Sequence, residues 1–257
     1  MSTDEEQLQI RVYGNASLPT LIYLPGIHGD WTLVAGFRKA VGNRVRFVEF
    51  TYSRAVDLSL EDYAAGIESA LKENGIESGW LLGESFGSQI VWPLVARKKF
   101  KVEGIVFAGG FGRHPTVWIV WLVQQLARPI SFRVLRPFFF FYRLYARLRY
   151  RNNPVMQEAV REFVAWRSEQ SLQAAKHRLK LILQNDPVAV AQTIRVPVHF
   201  VAGFMDPIVP WFGARRWFRK NCPTFGGSKI FWPADHHVLG TAAEKSAEQI
   251  LSWMTKS

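Results

Sequence analysis

The sequence predicts an α/β protein: a mostly parallel β-sheet with helices on both faces, interrupted by an all-helical insertion. Three observations carry this. Short apolar runs alternate with segments of helical periodicity, and the short connections imply parallel strands joined by crossover helices. Runs such as 20–24 and 104–108 are apolar nearly throughout, as strands covered on both faces are. Between Phe111 and about Gln192 the strand signals disappear. The 257 residues therefore divide into a core formed by 1–110 and 193–257 and a helical insertion at 111–192.

Taken in order, residues 8–13 read as an opening edge strand, with Gly14 and Asn15 as a turn. The strand 20–24 runs into Pro25-Gly26-Ile27-His28-Gly29-Asp30. After the strand 45–52, Ser59 and Asp62 form a weak capping box for a helix with Ala64, Ile67 and Leu71 on one side, stopped by Asn74-Gly75. Strand 80–82 leads through Gly83-Glu84-Ser85-Phe86-Gly87 into a helix at 88–97, in which Pro93 predicts a kink.

In the insertion, 117–127 is apolar on almost every side and holds Trp118 and Trp121. Arg136, Arg143, Arg147 and Arg151 share one helical stripe at offsets of seven, four and four. Pro137 is expected to break that helix near its start, leaving 143–151 secure. Asn153 caps the next helix with Pro154 in its first position, and Val160, Phe163, Val164 and Arg167 continue it. A further helix at 174–183 ends at Asn185-Asp186-Pro187. The sheet resumes at 196–202, followed by a basic helix at 213–220 and a last strand at 229–232. Thr241 and Glu244 read as a capping box for the closing helix, which runs to Met254.

Composition is ordinary for a globular protein, with 48% hydrophobic and 21% charged residues. Cys222 is the single cysteine, which excludes an intramolecular disulfide and suits a reducing compartment. No glycine-flanked turn surrounds it, so it reads as structural rather than nucleophilic. The first seven residues are polar and acidic, unlike a secretory signal, and no apolar run approaches the ~20 residues that span a bilayer. A soluble, cytoplasmic protein is expected, with a peripheral membrane role left open. The net charge of +11 is localised: residues 104–157 hold eight arginines and no Lys, Asp or Glu, and removing them leaves +3. Arginine among aromatics suits nucleic acid as well as anionic lipid, but nothing matches a nucleic-acid module, so that reading is set aside.

The chemistry centres on Gly83-x-Ser85-x-Gly87. A serine on a sharp strand-to-helix turn needs glycine two positions either side, because backbone and neighbouring strand crowd the turn. Downstream, in chain order, lie Asp206, just after the strand 196–202, and His236 and His237, after the last strand. These segments resemble the nucleophile elbow and the acid and histidine loops of the α/β-hydrolase superfamily, over roughly 8–110 and 194–254.

The resemblance implies two-step acyl transfer. Ser85 would be the nucleophile, Asp206 the acid and His236 the base, with His237 the fallback. The N–H groups of Ile27 and Phe86 would form the oxyanion hole; alignment on the letters His28-Gly29 would instead make Asp30 the donor. Ile27 is preferred because the donor must lie near the sheet edge. Asp235 and Asp186 compete for the acid role. Asp235 is adjacent to the histidine and should point away from it, and Asp186 suits a helix cap. There is no metal-ligand spacing and no phosphate loop, so no cofactor is expected.

The substrate reading is a carboxylic ester with a substantial apolar acyl part, roofed by Trp118, Trp121, Phe138, Phe139, Phe140, Phe141 and Tyr145. Thioester hydrolysis, carbon–carbon bond hydrolysis and acyl transfer use the same residues, and a non-catalytic binding protein is the third reading. For the arginine-rich insertion three readings stand: an anionic membrane surface as partner, a solvated helix face, or arginines turned inward onto a substrate carboxylate or phosphate.

Overall fold

The computed structural model describes residues 7–256; residues 1–6, on which most of the N-terminal reading rests, lie outside them. The strands are β1 (Gln9–Tyr13), β2 (Thr20–Leu24), β3 (Arg46–Thr51), β4 (Ser78–Glu84), β5 (Lys101–Ala108), β6 (Val198–Gly203) and β7 (Phe225–Phe231). Among the described residues they form one sheet in the order β1-β3-β2-β4-β5-β6-β7. β1 is antiparallel to β3 at the edge; every other neighbouring pair is parallel.

Three helices, α1 (Ala35–Val41), α2 (Leu60–Glu73) and α3 (Gly87–Arg97), lie between the first five strands. The stretch between β5 and β6 holds α4 (Val117–Ala127), α5 (Phe132–Arg149), α6 (Pro154–Ala165), α7 (Glu169–Gln184) and α8 (Val188–Thr193). Then come α9 (Trp211–Asn221), α10 (Val238–Thr241) and α11 (Ala243–Met254).

Successive strand side chains point to opposite faces, so each central strand feeds two cores. β2 sends Ile22 and Leu24 to the core under α2, α3 and α9, where Ile67, Ile90 and Phe218 meet them. Its Leu21 and Tyr23 face the core under α1 and α11, with Phe37, Ala247 and Ile250. Coverage on both faces is the reason the buried centres of these strands, such as 21–24 and 105–108, are apolar on both sides.

The Ser59–Asp62 capping box is formed in both directions, and Asn153 accepts from the Met156 N–H with Pro154 at the helix start. Three expectations need correction. α5 runs straight through Pro137, its sixth residue, where an exposed ring forfeits only the bond to the Arg133 carbonyl. The helix ends at Arg149, so Arg151 lies beyond it. Thr241 does not cap α11: its hydroxyl engages Asp235 Oδ1 (3.3 Å) and the His237 carbonyl (3.0 Å), and α11 starts without a side-chain cap. α1 has no counterpart in the sequence reading, because only Phe37 and Val41 of its seven residues are buried.

The insertion is tied into the core rather than laid on it. Leu181 and Ile182 of α7 and Ala191 of α8 belong to the larger core. Gln89 of α3 donates to the Phe111 and Gly112 carbonyls (2.7 and 3.2 Å), anchoring the start of the segment. Arg178 of α7 is 1% exposed and donates to the Ile27 carbonyl and the Ser53 carbonyl, each at 3.0 Å. Its guanidinium lies over the rings of Tyr52 and Tyr63. Gly29 makes the room: at its φ of +80°, a Cβ would stand 2.3 Å from Arg178 Nη1. Arg178→Met would leave both carbonyls buried and unpaired, so we expect a loss of about 2–4 kcal/mol in unfolding free energy, read by urea denaturation. A loss below about 0.5 kcal/mol, the range of ordinary surface changes, would refute the clamp.

Candidate active site

β4 ends at Glu84, Ser85 has a φ of 48°, and α3 begins at Gly87. A positive φ is uncommon outside glycine and persists only where surroundings enforce it. Here the Ser85 N–H donates to the Ala108 carbonyl (3.1 Å), and the Ser85 carbonyl accepts from Ser88 N (3.1 Å) and Oγ (2.6 Å). The flanking glycines are required by contact. A Cβ on Gly87 would stand 2.1 Å from the Leu24 carbonyl oxygen, and one on Gly83 3.0 Å from the Ser88 backbone.

At this turn Ser85 Oγ lies 3.0 Å from His236 Nε2, and His236 Nδ1 lies 2.8 Å from Asp206 Oδ2. The other Asp206 oxygen accepts from the Ile208 and Val209 N–H groups (2.8 and 2.9 Å). A carboxylate only accepts, so Nδ1 carries the proton and the Nε2 lone pair faces the hydroxyl. Such an arrangement can take the hydroxyl proton onto the imidazole and stabilise the cation that results. Ser85 and His236 are both buried, and the three residues follow the C-terminal ends of β4, β6 and β7, where open parallel sheets place their sites.

The other candidates are engaged elsewhere. Asp235 accepts from Tyr150 Oη (3.0 Å) and the His237 N–H (3.0 Å). Asp186 accepts from the Val188 N–H at the start of α8. Cys222 is buried in the main core, and burial pushes its thiol up to about 12.

His237 does not touch Ser85 but stands with Nδ1 3.8 Å from Glu84 Oε1, a charge contact too long for a hydrogen bond. Burial pulls the His237 pKa down, but Glu84, Asp235 and Asp206 outweigh it and the net shift is upward. Glu84, fully enclosed, also accepts from Tyr23 Oη. Sequence reasoning missed this pair; the available signal was a carboxylate at the end of an otherwise apolar strand.

Among the described residues neither the Ile27 nor the Phe86 N–H has an acceptor. Gly26 abuts Ser85, with its Cβ position 3.4 Å from Ser85 Cβ. The Asp30 carboxylate is instead held by Arg167 and Thr32. His28 Nε2 meets the Asp30 carbonyl at 2.9 Å.

Above Ser85 lies a cavity of about 440 Å³ walled by Ile119, Val120, Val123, Phe163, Leu179 and Ile182, with His28, Glu84, His114 and His237 on its polar side. A larger cleft of about 690 Å³, near Lys39, Trp232 and Lys245, includes none of the residues around Ser85. The expected aromatic roof is corrected here. Trp118, Trp121, Phe138, Phe140, Phe141 and Tyr145 are all more than half exposed, and Phe139 packs against Phe132 and Phe163. α4 is apolar almost all round, so its pattern could not tell which side faces the cavity.

The sequence pattern of the alpha/beta hydrolase fold matches residues 46–240, and the chain belongs to that family. Among solved structures it resembles a thermophilic esterase from Thermogutta terrifontis, with 18% identity, 97% of this chain and 93% of that one covered, and a TM-score of 0.73. It also resembles an enol-lactonase from Burkholderia xenovorans, with 17% identity, 96% of each chain and a TM-score of 0.75. A carboxylesterase from Bacillus subtilis shares 17% identity, over 100% of this chain and 90% of that one, with a TM-score of 0.67. At these identities the likeness is one of fold. No curated protein matches the chain.

Burial holds three imidazoles neutral: His28 and His114 at the cavity and His199, stacked between Trp80 and Trp253, are each lowered to about 4. The unfolded chain binds these protons near 6.5, the folded chain only near 4, so protonation favours unfolding between those values. His237, shifted upward, gains its stabilising contribution mainly above pH 6.5, as pH falls toward that value, and changes little in this window. The melting temperature should fall from pH 6.5 to pH 4 by about 10 °C or more. His114→Gln combined with His199→Gln should flatten that slope in differential scanning calorimetry.

Proposed function

We propose that the protein is a serine hydrolase that cleaves carboxylic esters with a substantial apolar acyl part, through an acyl-enzyme on Ser85. The observation that carries the reading is the hydrogen-bonded chain Ser85–His236–Asp206 opening into a largely apolar cavity. The fold family and the description of neighbours as esterases agree with ester chemistry.

In this reading Ser85 Oγ attacks the ester carbonyl as its proton passes to His236 Nε2, and Asp206 stabilises the imidazolium. The carbonyl oxygen, now an oxyanion, meets the unpartnered N–H groups of Ile27 and Phe86. Phe86 stands at the start of α3, whose positive end adds to the attraction. His236 returns the proton to the departing alkoxide, leaving the acyl group on Ser85. Water then follows the same path: it loses a proton to His236, attacks the acyl carbonyl, and releases the acid as Ser85 regains its proton. The acyl chain lies along Val120, Leu179 and Ile182.

Two measurements test the reading. Ser85→Ala and His236→Ala should each lower kcat by ~10⁴-fold or more, because such residues act as a unit. Asp206→Asn should cost orders of magnitude through the wrong tautomer. If His237→Ala proves the crippling change and His236→Ala a mild one, the base is misassigned. On p-nitrophenyl esters lengthened from acetyl to octanoyl, kcat/KM should rise about fourfold per buried methylene, the equivalent of roughly 0.8 kcal/mol. A flat series would remove the apolar acyl site, and faster turnover of matched thioesters or diketones would move the reaction class.

A further inference from the structure

α5 has two apolar sides. Phe132, Leu135, Phe139, Tyr142 and Ala146, spaced three, four, three and four, are its least exposed residues, and Ala146 packs with Met156, Ala159 and Val160 of α6. At ~100° per residue, Val134, Phe138, Phe141, Leu144, Tyr145 and Leu148 gather on a different face, roughly 120° wide and turned away from the packed one. These six are between 49% and 72% exposed. Arg149 borders that face on one side; on the other lie Arg133 and the exposed Phe140, with Arg147, Arg136 and Arg143 beyond them, between the aromatic and the packed faces. Arg143 and Arg147, with Arg161 and Gln157 of α6, also line a cleft of about 210 Å³. Among the described residues neither Arg143 nor Arg147 has a carboxylate partner, whereas Arg161 pairs with Glu158.

A second exposed apolar set lies on α4, which ends four residues before α5 begins. Trp118, Trp121, Leu122 and Leu126 are 41% to 66% exposed. Ile119 and Val123 of the same helix, together with Ile208 across the rim, line the cavity over Ser85 and are themselves 39% to 55% exposed. The cavity therefore opens onto apolar surface rather than onto a polar rim.

We propose that the outer faces of α4 and α5 form a docking surface for an anionic phospholipid bilayer. The aromatic face sits in the interface, and the flanking arginines lie among the headgroups. The Arg143–Arg147–Arg161 cleft takes a lipid phosphate. Charge selects this occupant. Residues 104–157 supply eight arginines and no opposing charge, and a basic amphipathic helix with aromatics on its apolar side is suited to that interface. Patches of this size are rare on surfaces that stay in water. A second copy docked symmetrically would set the five arginines of α5 against the same five. No described helix is long and apolar enough to cross a membrane, so α5 lies in the plane. Resting on the hydrolase reading, the surface adds a substrate class: amphiphilic esters that pass from the bilayer into the cavity.

The test uses the full chain, as wild type and as Ser85→Ala, cosedimented with vesicles of phosphatidylcholine alone or with about one third phosphatidylserine. Both proteins should bind the anionic vesicles at about 0.05 M salt and lose at least about tenfold in binding at about 0.5 M, where screening is short-ranged. Changing Arg136, Arg143 and Arg147 together to Gln should lower partitioning about a hundredfold. Changing Phe138, Phe141 and Leu148 together to Ser should weaken binding with an unchanged melting temperature, since these side chains are already exposed. Absence of binding at low salt, or undiminished binding by the arginine variant, overturns the proposal. So does concentration-dependent dimerisation in light scattering that the Ser variant abolishes while vesicles go unbound. Salt-sensitive capture of polyglutamate without vesicle binding would assign the arginines to an acidic protein instead. Vesicle binding by an esterase-inactive wild type would sustain the surface and sink the hydrolase reading; the converse would do the opposite.

Discussion

A buried guanidinium helps to join the two parts of this molecule. Burying a charge costs several kcal/mol unless its hydrogen bonds are replaced, and Arg178 replaces them without a carboxylate among the described residues. It uses the Ile27 and Ser53 carbonyls and the faces of Tyr52 and Tyr63. Tyr52 in turn donates to the Pro25 carbonyl at 3.1 Å. The loop whose Gly26 abuts Ser85 is therefore held from below by the sheet core and from above by α7. Arg167 repeats the device one turn of loop later, on Asp30. The helical segment is thus part of the site's geometry as well as its cover.

The polar wall of the cavity follows the same economy. His28 is neutral because burial outweighs the nearby acids, whereas His237 is shifted the other way by the Glu84 carboxylate that faces it. Two histidines with ring centroids 6.2 Å apart are thus shifted in opposite directions. His236 differs from both in touching Ser85 and Asp206.

Much of the architecture was legible because its causes are local. Strand centres covered on both faces are apolar on both sides, and the Ser85 turn must be flanked by glycine because Leu24 and Ser88 leave no room for a Cβ. What escaped reading depends on which way a side chain turns. Arg178 looks like one more basic residue on an amphipathic helix. Thr241 sits where a cap belongs yet spends its hydroxyl on Asp235. α1 buries too few residues to show a period, and the uniform apolarity of α4 conceals which side lines the cavity. At the site, sequence order named Ser85, Asp206 and His236, which the fold brings together; the contact between Glu84 and His237 needed coordinates.

The connection between β5 and β6 sets an order of assembly. β1 to β5 are contiguous in the sheet, and the Ser85 turn is fixed by Ala108 at the end of β5. The strained serine can therefore form from the first half of the chain. Its acceptor stands 151 residues further on, beyond a helical segment that β6 must span before pairing with β5. Long-range pairings of this kind form late. An intermediate holding only the first five strands would display the turn, with its hydroxyl exposed and no imidazole to meet it.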